Sequence, residues 1–157
     1  MSADNLATNL RESEYLHGLA EEDLQQLAGA AQLVEFAEGA VIFREGDSAE
    51  KSYLIVSGSV SLEICTPGIG CRRISTIGKG QLLGWSPVVD NVQLSATARA
   101  ITDVTMIGLP KDAVRALCEQ SPRFGYLFMK GIAKVLARRL TATRMQLLDV
   151  FGNEGRD

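Results

Sequence analysis

The hydrophobic positions divide the chain into three regions with different periodicities. Over residues 6–31, leucines recur at spacings that line one side of short helices, and Gly18 interrupts the series. Glu21, Glu22 and Asp23 stand where a second helix would begin, and a helix dipole favours negative charge in its first turn. The first region is therefore predicted to form N-terminal helices.

Residues 32–109 carry short, partly alternating apolar runs that are rich in β-branched side chains. Glycines separate these runs, usually beside Asp, Ser or Pro, so the chain can reverse after each one. The runs occupy residues 33–36, 41–44, 53–56, 60–64, 72–77, 95–101 and 104–109. Regular short strands joined by glycine turns predict an antiparallel sandwich or barrel rather than an open α/β sheet.

Residues 110–151 return to a helical pattern. A short helix is predicted to begin at Pro110, and Ser121-Pro122 opens a long one, with Ser as the cap and Pro in the first turn. The long helix is expected to run to about Phe151 and to stop at Gly152-Asn153. Its apolar side chains follow a four-three spacing over about three heptads. This seam consists of Met129, Ala133, Leu136, Leu140, Thr143, Leu147 and Val150.

The composition fits one globular domain, since 46% of the 157 residues are hydrophobic and 22% are charged. No apolar run reaches the roughly 20 residues that cross a bilayer, and the polar N-terminus is unlike a secretory signal. We therefore expect a cytoplasmic chain in which Cys65, Cys71 and Cys118 are free thiols. Their spacing, with one histidine in the chain, matches no zinc or iron–sulfur site, so no metal is expected.

The net charge of -3 hides an uneven distribution. The first fifty residues are rich in acids, whereas the segment between Glu119 and Asp149 carries only basic charges. These are Arg123, Lys130, Lys134, Arg138, Arg139 and Arg144. They form either a solvated helix face or a surface for an anionic ligand or acidic partner. Without an overall basic excess, no direct binding to DNA is expected.

Several segments resemble the cyclic nucleotide-binding domain family, in particular its catabolite-activator-like sensor domains. They are FAEGAVIFREGD at residues 36–47, YLIVSGSV at 53–60, GKGQLLG at 78–84, SATARA at 95–100 and VTMIGLP at 104–110. The resemblance covers about residues 10–151. It implies a mainly β fold, an eight-stranded antiparallel jelly roll over residues 32–109. Helices over 6–31 and 110–151 flank the roll within a single domain, 1–157.

The resemblance also places a phosphate-binding cassette at residues 81–97. In the family, a glutamate directly after the glycine binds the ribose, and an arginine about ten residues later pairs with the phosphate. Here Trp85 follows Gly84, and Leu94 occupies the arginine position. An indole has no acceptor for a hydroxyl, and loss of a buried arginine–phosphate pair costs about 2–5 kcal/mol. We therefore predict a degenerate cassette that does not bind cAMP or cGMP in the usual way.

The resemblance implies which residues would surround a ligand. The cassette positions are Gly84, Trp85, Ser86, Leu94, Ser95, Ala96 and Thr97. Trp85 either fills the pocket or forms an aromatic wall for an apolar or planar ligand. Thr143 and Arg144 would cover the ligand from the long helix, although Thr143 is equally explained as a polar seam position. Arg73 and Arg99 are expected to point outward.

The resemblance favours a non-enzymatic regulatory module, and the chain shows no nucleophile with a histidine base. The family places the long helix at a two-fold interface, so we expect a homodimer through Leu136, Leu140, Thr143, Leu147 and Val150. Its other partners would be a small-molecule ligand and a protein, with neither a membrane nor a resident cofactor. Two alternatives remain. One is a genuine cAMP or cGMP binding protein with an altered cassette, and the other is a dimerisation or protein-interaction module with a filled pocket.

Transcription factors of this superfamily carry a helix-turn-helix domain after the long helix. About six residues follow Phe151 here, too few for such a domain. We therefore expect either a truncated regulator or a chain that acts on a partner protein.

Overall fold

The protein folds as two β-sheets with helices before and after them, in a computed structural model that describes residues 3–85, 88 and 93–154. The helices are α1 (Ala3–Glu12), α2 (Glu21–Ala30), α3 (Lys111–Gln120) and α4 (Pro122–Glu154). The strands are β1 (Gln32–Phe36), β2 (Val41–Phe43), β3 (Lys51–Ser57), β4 (Val60–Thr66), β5 (Gly70–Ile77), β6 (Leu82–Leu83), β7 (Thr97–Ala100) and β8 (Val104–Pro110).

The strand order confirms the predicted jelly roll. One sheet has the order β1-β8-β3-β6 and the other has the order β2-β7-β4-β5. All the strand pairs of the described residues are antiparallel. Both sheets contribute buried side chains to a shared core, among them Ile55 and Met106 from the first sheet and Val60 and Ala98 from the second. This core holds the two layers of the roll together.

Alternation along the first sheet creates a second core on its other face. Successive strand residues point to opposite sides, so Leu54 and Ile107 face the helices while Ile55 and Met106 face the roll. The helices supply the opposing side chains, including Leu24 and Leu27 of α2 and Phe124 and Phe128 of α4. The central strands β3 and β8 of the first sheet are therefore buried on both faces.

Helix α4 begins as the sequence predicts. The backbone N–H of Phe124 donates to Ser121 Oγ at 3.3 Å, which is the predicted cap, and that hydroxyl donates to the Asp23 carboxylate at 2.9 Å. The predicted stop at Gly152-Asn153 is wrong, because α4 continues to Glu154. A glycine in an exposed helix costs about 1 kcal/mol but does not by itself end the helix.

Only the first half of α4 is packed against the body. Phe124, Phe128, Ile132 and Val135 are buried, whereas none of the side chains described from 136 onward is. Gly131 allows α4 to approach Tyr15 closely, because a Cβ at this position would lie 3.1 Å from the Cβ of Tyr15. The second half of α4 thus extends along the roll with a largely exposed surface. None of the helices in the described ranges is long and apolar enough to cross a membrane.

The cysteines differ from the sequence expectation. Cys65 and Cys71 form a disulfide, so the prediction that they are free thiols is wrong, and Cys118 is free. The register of β4 and β5 explains the bond, because it places Cys65 directly opposite Cys71 with the Cα atoms 4.0 Å apart. The prediction of free thiols considered only the redox state of the compartment and not the pairing of the two strands.

We predict one reactive thiol per chain in the unreduced protein. Burial, with Glu119 nearby, raises the pKa of the Cys118 thiol, so the titration should be done on denatured protein. A thiol reagent should then detect only Cys118, and after reduction it should detect all three cysteines. Three thiols before reduction would contradict the disulfide.

Candidate ligand-binding cavity

A cavity of about 470 Å³ lies between the roll and the second half of α4. This volume falls within the roughly 300–1,000 Å³ of small-molecule sites. The roll contributes mainly apolar side chains, namely Phe43, Leu62, Leu83, Trp85, Leu94 and Ala96. Helix α4 contributes Leu136, Arg139, Ala142, Thr143 and Gln146. The rim also includes Ile74 and Ser75 of β5.

Gly84 sets the position of Trp85. Its φ is +69°, and a Cβ there would lie 3.2 Å from Phe43 Cε1, so glycine is favoured for two reasons. Ser52 Oγ donates to the Gly84 carbonyl at 3.2 Å, and the Val88 N–H donates to the Trp85 carbonyl at 3.0 Å. The half-buried indole lines a cavity that stays open beside it. This arrangement favours an aromatic wall over a plug.

Leu94 is held by the turn that follows β2. Its N–H donates to the Asp47 carbonyl at 3.0 Å, and its carbonyl accepts from the Gly46 N–H at 2.8 Å. The buried Leu94 side chain faces the cavity, as do Ser95 and Ala96. The wall at this position is therefore apolar and fixed by backbone hydrogen bonds.

Of the seven predicted cassette positions, one does not line the cavity and one cannot be assigned to it. Thr97 is 4% exposed, and its Oγ1 accepts a hydrogen bond from the Glu45 N–H at 3.0 Å, so it supports the wall from behind. Ser86 lies outside the described residues. The other five line the cavity.

Of the two α4 residues that were predicted to contact the ligand, only one lines the cavity. Thr143 lines the cavity as expected, but Arg144 is exposed and is not among the lining residues. Arg139 lines it instead, one helical turn before Thr143, because residues four apart share a helix face. The four-residue spacing between Arg139 and Thr143 could have identified Arg139 as a cavity residue from the sequence, given that Thr143 was predicted to contact the ligand.

The electrostatic environment of Arg139 differs from those of the neighbouring arginines. Arg138 is paired with Glu14. Arg99 lies outside the cavity as predicted, with Nε 3.5 Å from a Glu63 carboxylate oxygen. Arg139 is half-buried and has no carboxylate partner among the described residues. Burial lowers the pKa of its guanidinium, and the only opposing influence comes from Tyr15.

Tyr15 provides no anion for Arg139 at neutral pH. Burial and the neighbouring Glu14 raise the pKa of its phenol, and Arg138 and Arg139 offset this only in part. The phenol therefore stays protonated, and the Arg139 charge is not balanced by it.

We predict that Gly84→Ala destabilises the fold more than Gly80→Ala. Both glycines have positive φ, and alanine in this region costs about 1–2 kcal/mol. Gly80 has no atom within 4 Å of an added Cβ, whereas Gly84 also meets Phe43. Urea unfolding followed by circular dichroism measures both losses. Equal losses would show that Phe43 moves aside without cost.

Comparison with known proteins identifies relatives for most of the chain. The family model described as cyclic nucleotide-binding domain matches residues 33–121. The cyclic AMP receptor protein of Thermus thermophilus is 30% identical over 138 residues, which cover 88% of this chain and 62% of that protein. The CRP-like cAMP-activated global transcriptional regulator of Mycobacterium tuberculosis is 26% identical, over 85% of this chain and 58% of that protein. The chain thus spans about three fifths of the length of these relatives.

Solved structures agree with the fold. A cyclic nucleotide-binding domain from Methylobacillus flagellatus superposes with a TM-score of 0.77 over 94% of this chain and 83% of that chain. The two sequences are 20% identical, so this likeness concerns the fold alone.

Proposed function

Because the chain belongs to the cyclic nucleotide-binding domain family, we propose that it is a non-enzymatic sensor module that binds a small ligand other than cAMP or cGMP and works as a homodimer. The observation that carries this proposal is an open cavity whose walls are apolar at both positions where the family has charged ligands. Trp85 and Leu94 occupy those two positions.

The open volume of the cavity favours a sensor over an interaction module with a filled pocket. About 470 Å³ remains open between Trp85 and α4, and a pure interaction domain has no need of such a space. The lining also argues against an unmodified nucleotide site. None of the lining residues that the structure describes is acidic, so the ribose hydroxyl has no carboxylate acceptor. The cassette is therefore proposed to be degenerate.

We predict that cAMP binds no more tightly than high micromolar. Without a charged side chain at either cassette position, a cyclic phosphate seated on the roll lacks the charge-assisted hydrogen bonds that the family supplies there. Isothermal titration calorimetry at moderate salt measures the affinity, with cGMP as a second ligand. The double variant Trp85→Glu with Leu94→Arg should gain affinity if the cassette backbone keeps the family's shape. Sub-micromolar binding of cAMP to the unmodified protein would refute the proposal.

The homodimer is supported by the exposed seam on α4. Leu136, Leu140, Leu147 and Val150 are each about half exposed, at 48%, 53%, 53% and 57%. Burying a leucine fully contributes roughly 1.5–3 kcal/mol, and association costs an estimated 4–15 kcal/mol. Because each leucine is already about half buried, three from each of two copies contribute roughly 4.5–9 kcal/mol, which matches the lower part of this range. A second copy is the partner that matches a self-complementary heptad stripe.

We predict that Leu140→Asp converts a dimer into a monomer. The change buries two carboxylates at the two-fold interface, where neither has a partner. Thr141→Asp is the matched control, because it adds the same charge one residue away and outside the seam. Analytical ultracentrifugation at micromolar concentration should show a dimer for the wild type and for the control. A wild-type monomer throughout that range would rule out the proposed assembly.

The cavity and the seam share one helix, which suggests how a signal is transmitted. Leu136 and Thr143 belong to both sets, so a ligand that contacts them acts directly on the dimer contact. We propose a cytoplasmic location, in which the Cys65–Cys71 disulfide would be kept reduced. We also propose a protein partner that responds to the arrangement of the paired helices.

A further inference from the structure

We propose that the cavity binds a hydrophobic monocarboxylate, with its carboxylate on Arg139 and its hydrocarbon body against Trp85, Leu94 and Leu136. The inference rests on the proposed function, since it specifies the class of ligand that the sensor binds. Octanoate and hydrocinnamate represent this class, one as a flexible chain and the other as an aryl acid.

The anion is inferred from the position of Arg139. Its side chain lines the main cavity and also a smaller one of about 150 Å³, so it lies where the two adjoin. The smaller cavity is bounded by the protonated phenol of Tyr15, and no carboxylate lines it among the described residues. A partly desolvated cation without a counter-charge is costly, and an entering carboxylate would compensate it through two parallel N–H···O bonds.

The other polar groups of the cavity indicate that the ligand carries only one negative charge. Arg139 is the only cationic side chain on the described surface of the main cavity. Thr143 Oγ1 donates its proton to the Arg139 carbonyl at 2.9 Å, so this hydroxyl can accept but does not donate to an anion. Arg138 lines the adjoining smaller cavity, but its charge is already paired with Glu14, so a second negative charge on the ligand would enter without a free cation to pair it. Gln146, Ser75 and Ser95 can supply neutral hydrogen bonds at the rim.

The side chains that the roll contributes to the cavity indicate that the rest of the ligand is hydrophobic. Leu62, Leu83, Leu94 and Ala96 present only hydrocarbon, and Trp85 adds an aromatic face. A sugar or purine carries polar atoms around its whole edge, and each one left unpaired against this wall would weaken binding. An alkyl or aryl group gains by the same contact, because it leaves water without losing hydrogen bonds.

Trp85 is the only tryptophan, so its fluorescence reports binding at this cavity directly. The purified full chain is titrated with octanoate and hydrocinnamate, and in parallel with octanamide and hydrocinnamamide, which match them in shape but are neutral. We expect each acid to bind at least about tenfold more tightly than its amide, because the charge-assisted pair with Arg139 is lost in the amide.

Two variants of α4 test the residue itself. Arg139→Met keeps an unbranched aliphatic side chain but removes the charge, and it should abolish the preference for acid over amide. Its affinity for the amides should stay within about threefold of wild type, which also verifies that the cavity is folded. Arg144→Met removes a charge from the same helix outside the cavity, so it should keep the wild-type preference.

Three results would overturn the inference. The first is equal affinity of the wild type for acids and amides, and the second is a preference that survives Arg139→Met. The third is no binding of either acid up to about 10 mM, which corresponds to less than roughly 3 kcal/mol of binding free energy. A parallel titration with cAMP separates the two proposals. Tight cAMP binding refutes the proposed function, whereas failure of both acids and cAMP refutes only the carboxylate ligand.

Discussion

The packing of the first half of α4 determines what its second half can contact. Phe124, Phe128, Ile132 and Val135 bury one face of the helix in the core that the helices share with the outer side of the first sheet. A helix has fixed periodicity, so this anchored face sets the rotation of every later residue. Arg139 and Thr143 consequently face the roll, and Leu140 and Leu147 remain exposed. The cavity and the seam are thus both consequences of the same aromatic anchor.

The charge distribution of the cavity differs from the one that the family resemblance implies. In the family pattern, the roll carries the ligands for a phosphate and a ribose, and the helix covers them. Here the roll presents Trp85 and Leu94, and the cation lies on α4 at Arg139. An anion bound at Arg139 would contact the same helix that bears the seam. Ligand recognition and dimer assembly would then both depend on α4, rather than on the roll and the helix separately.

The short strands, the flanking helices and the Ser121 cap could be predicted because they depend on local signals, whereas the jelly-roll arrangement of the strands came from the family resemblance. Glycine-separated strands, leucine spacing and a Ser-Pro pair act within a few residues. Arg139 could not be distinguished from Arg144 in this way, since its orientation depends on how Phe124 and Phe128 dock about three to four turns earlier.

The disulfide was missed for a different reason, since the expectation of free thiols rested on redox compartment and not on strand pairing. The turn at residues 67–69 places Thr66 opposite Gly70, and the next pair along the hairpin is Cys65 with Cys71. Hairpin register is fixed by the turn, so the bond depends on the pairing of β4 with β5 rather than on the cellular compartment.

Leu136 lines the cavity and also belongs to the seam, and this double placement has a thermodynamic consequence. If ligand binding and helix pairing both constrain this side chain, they are linked equilibria, and each changes the other's dissociation constant by the same factor. The apparent affinity for the ligand would then vary with the concentration of the protein itself. A cell could therefore set the response threshold of such a sensor through its expression level, without any change in the residues of the cavity.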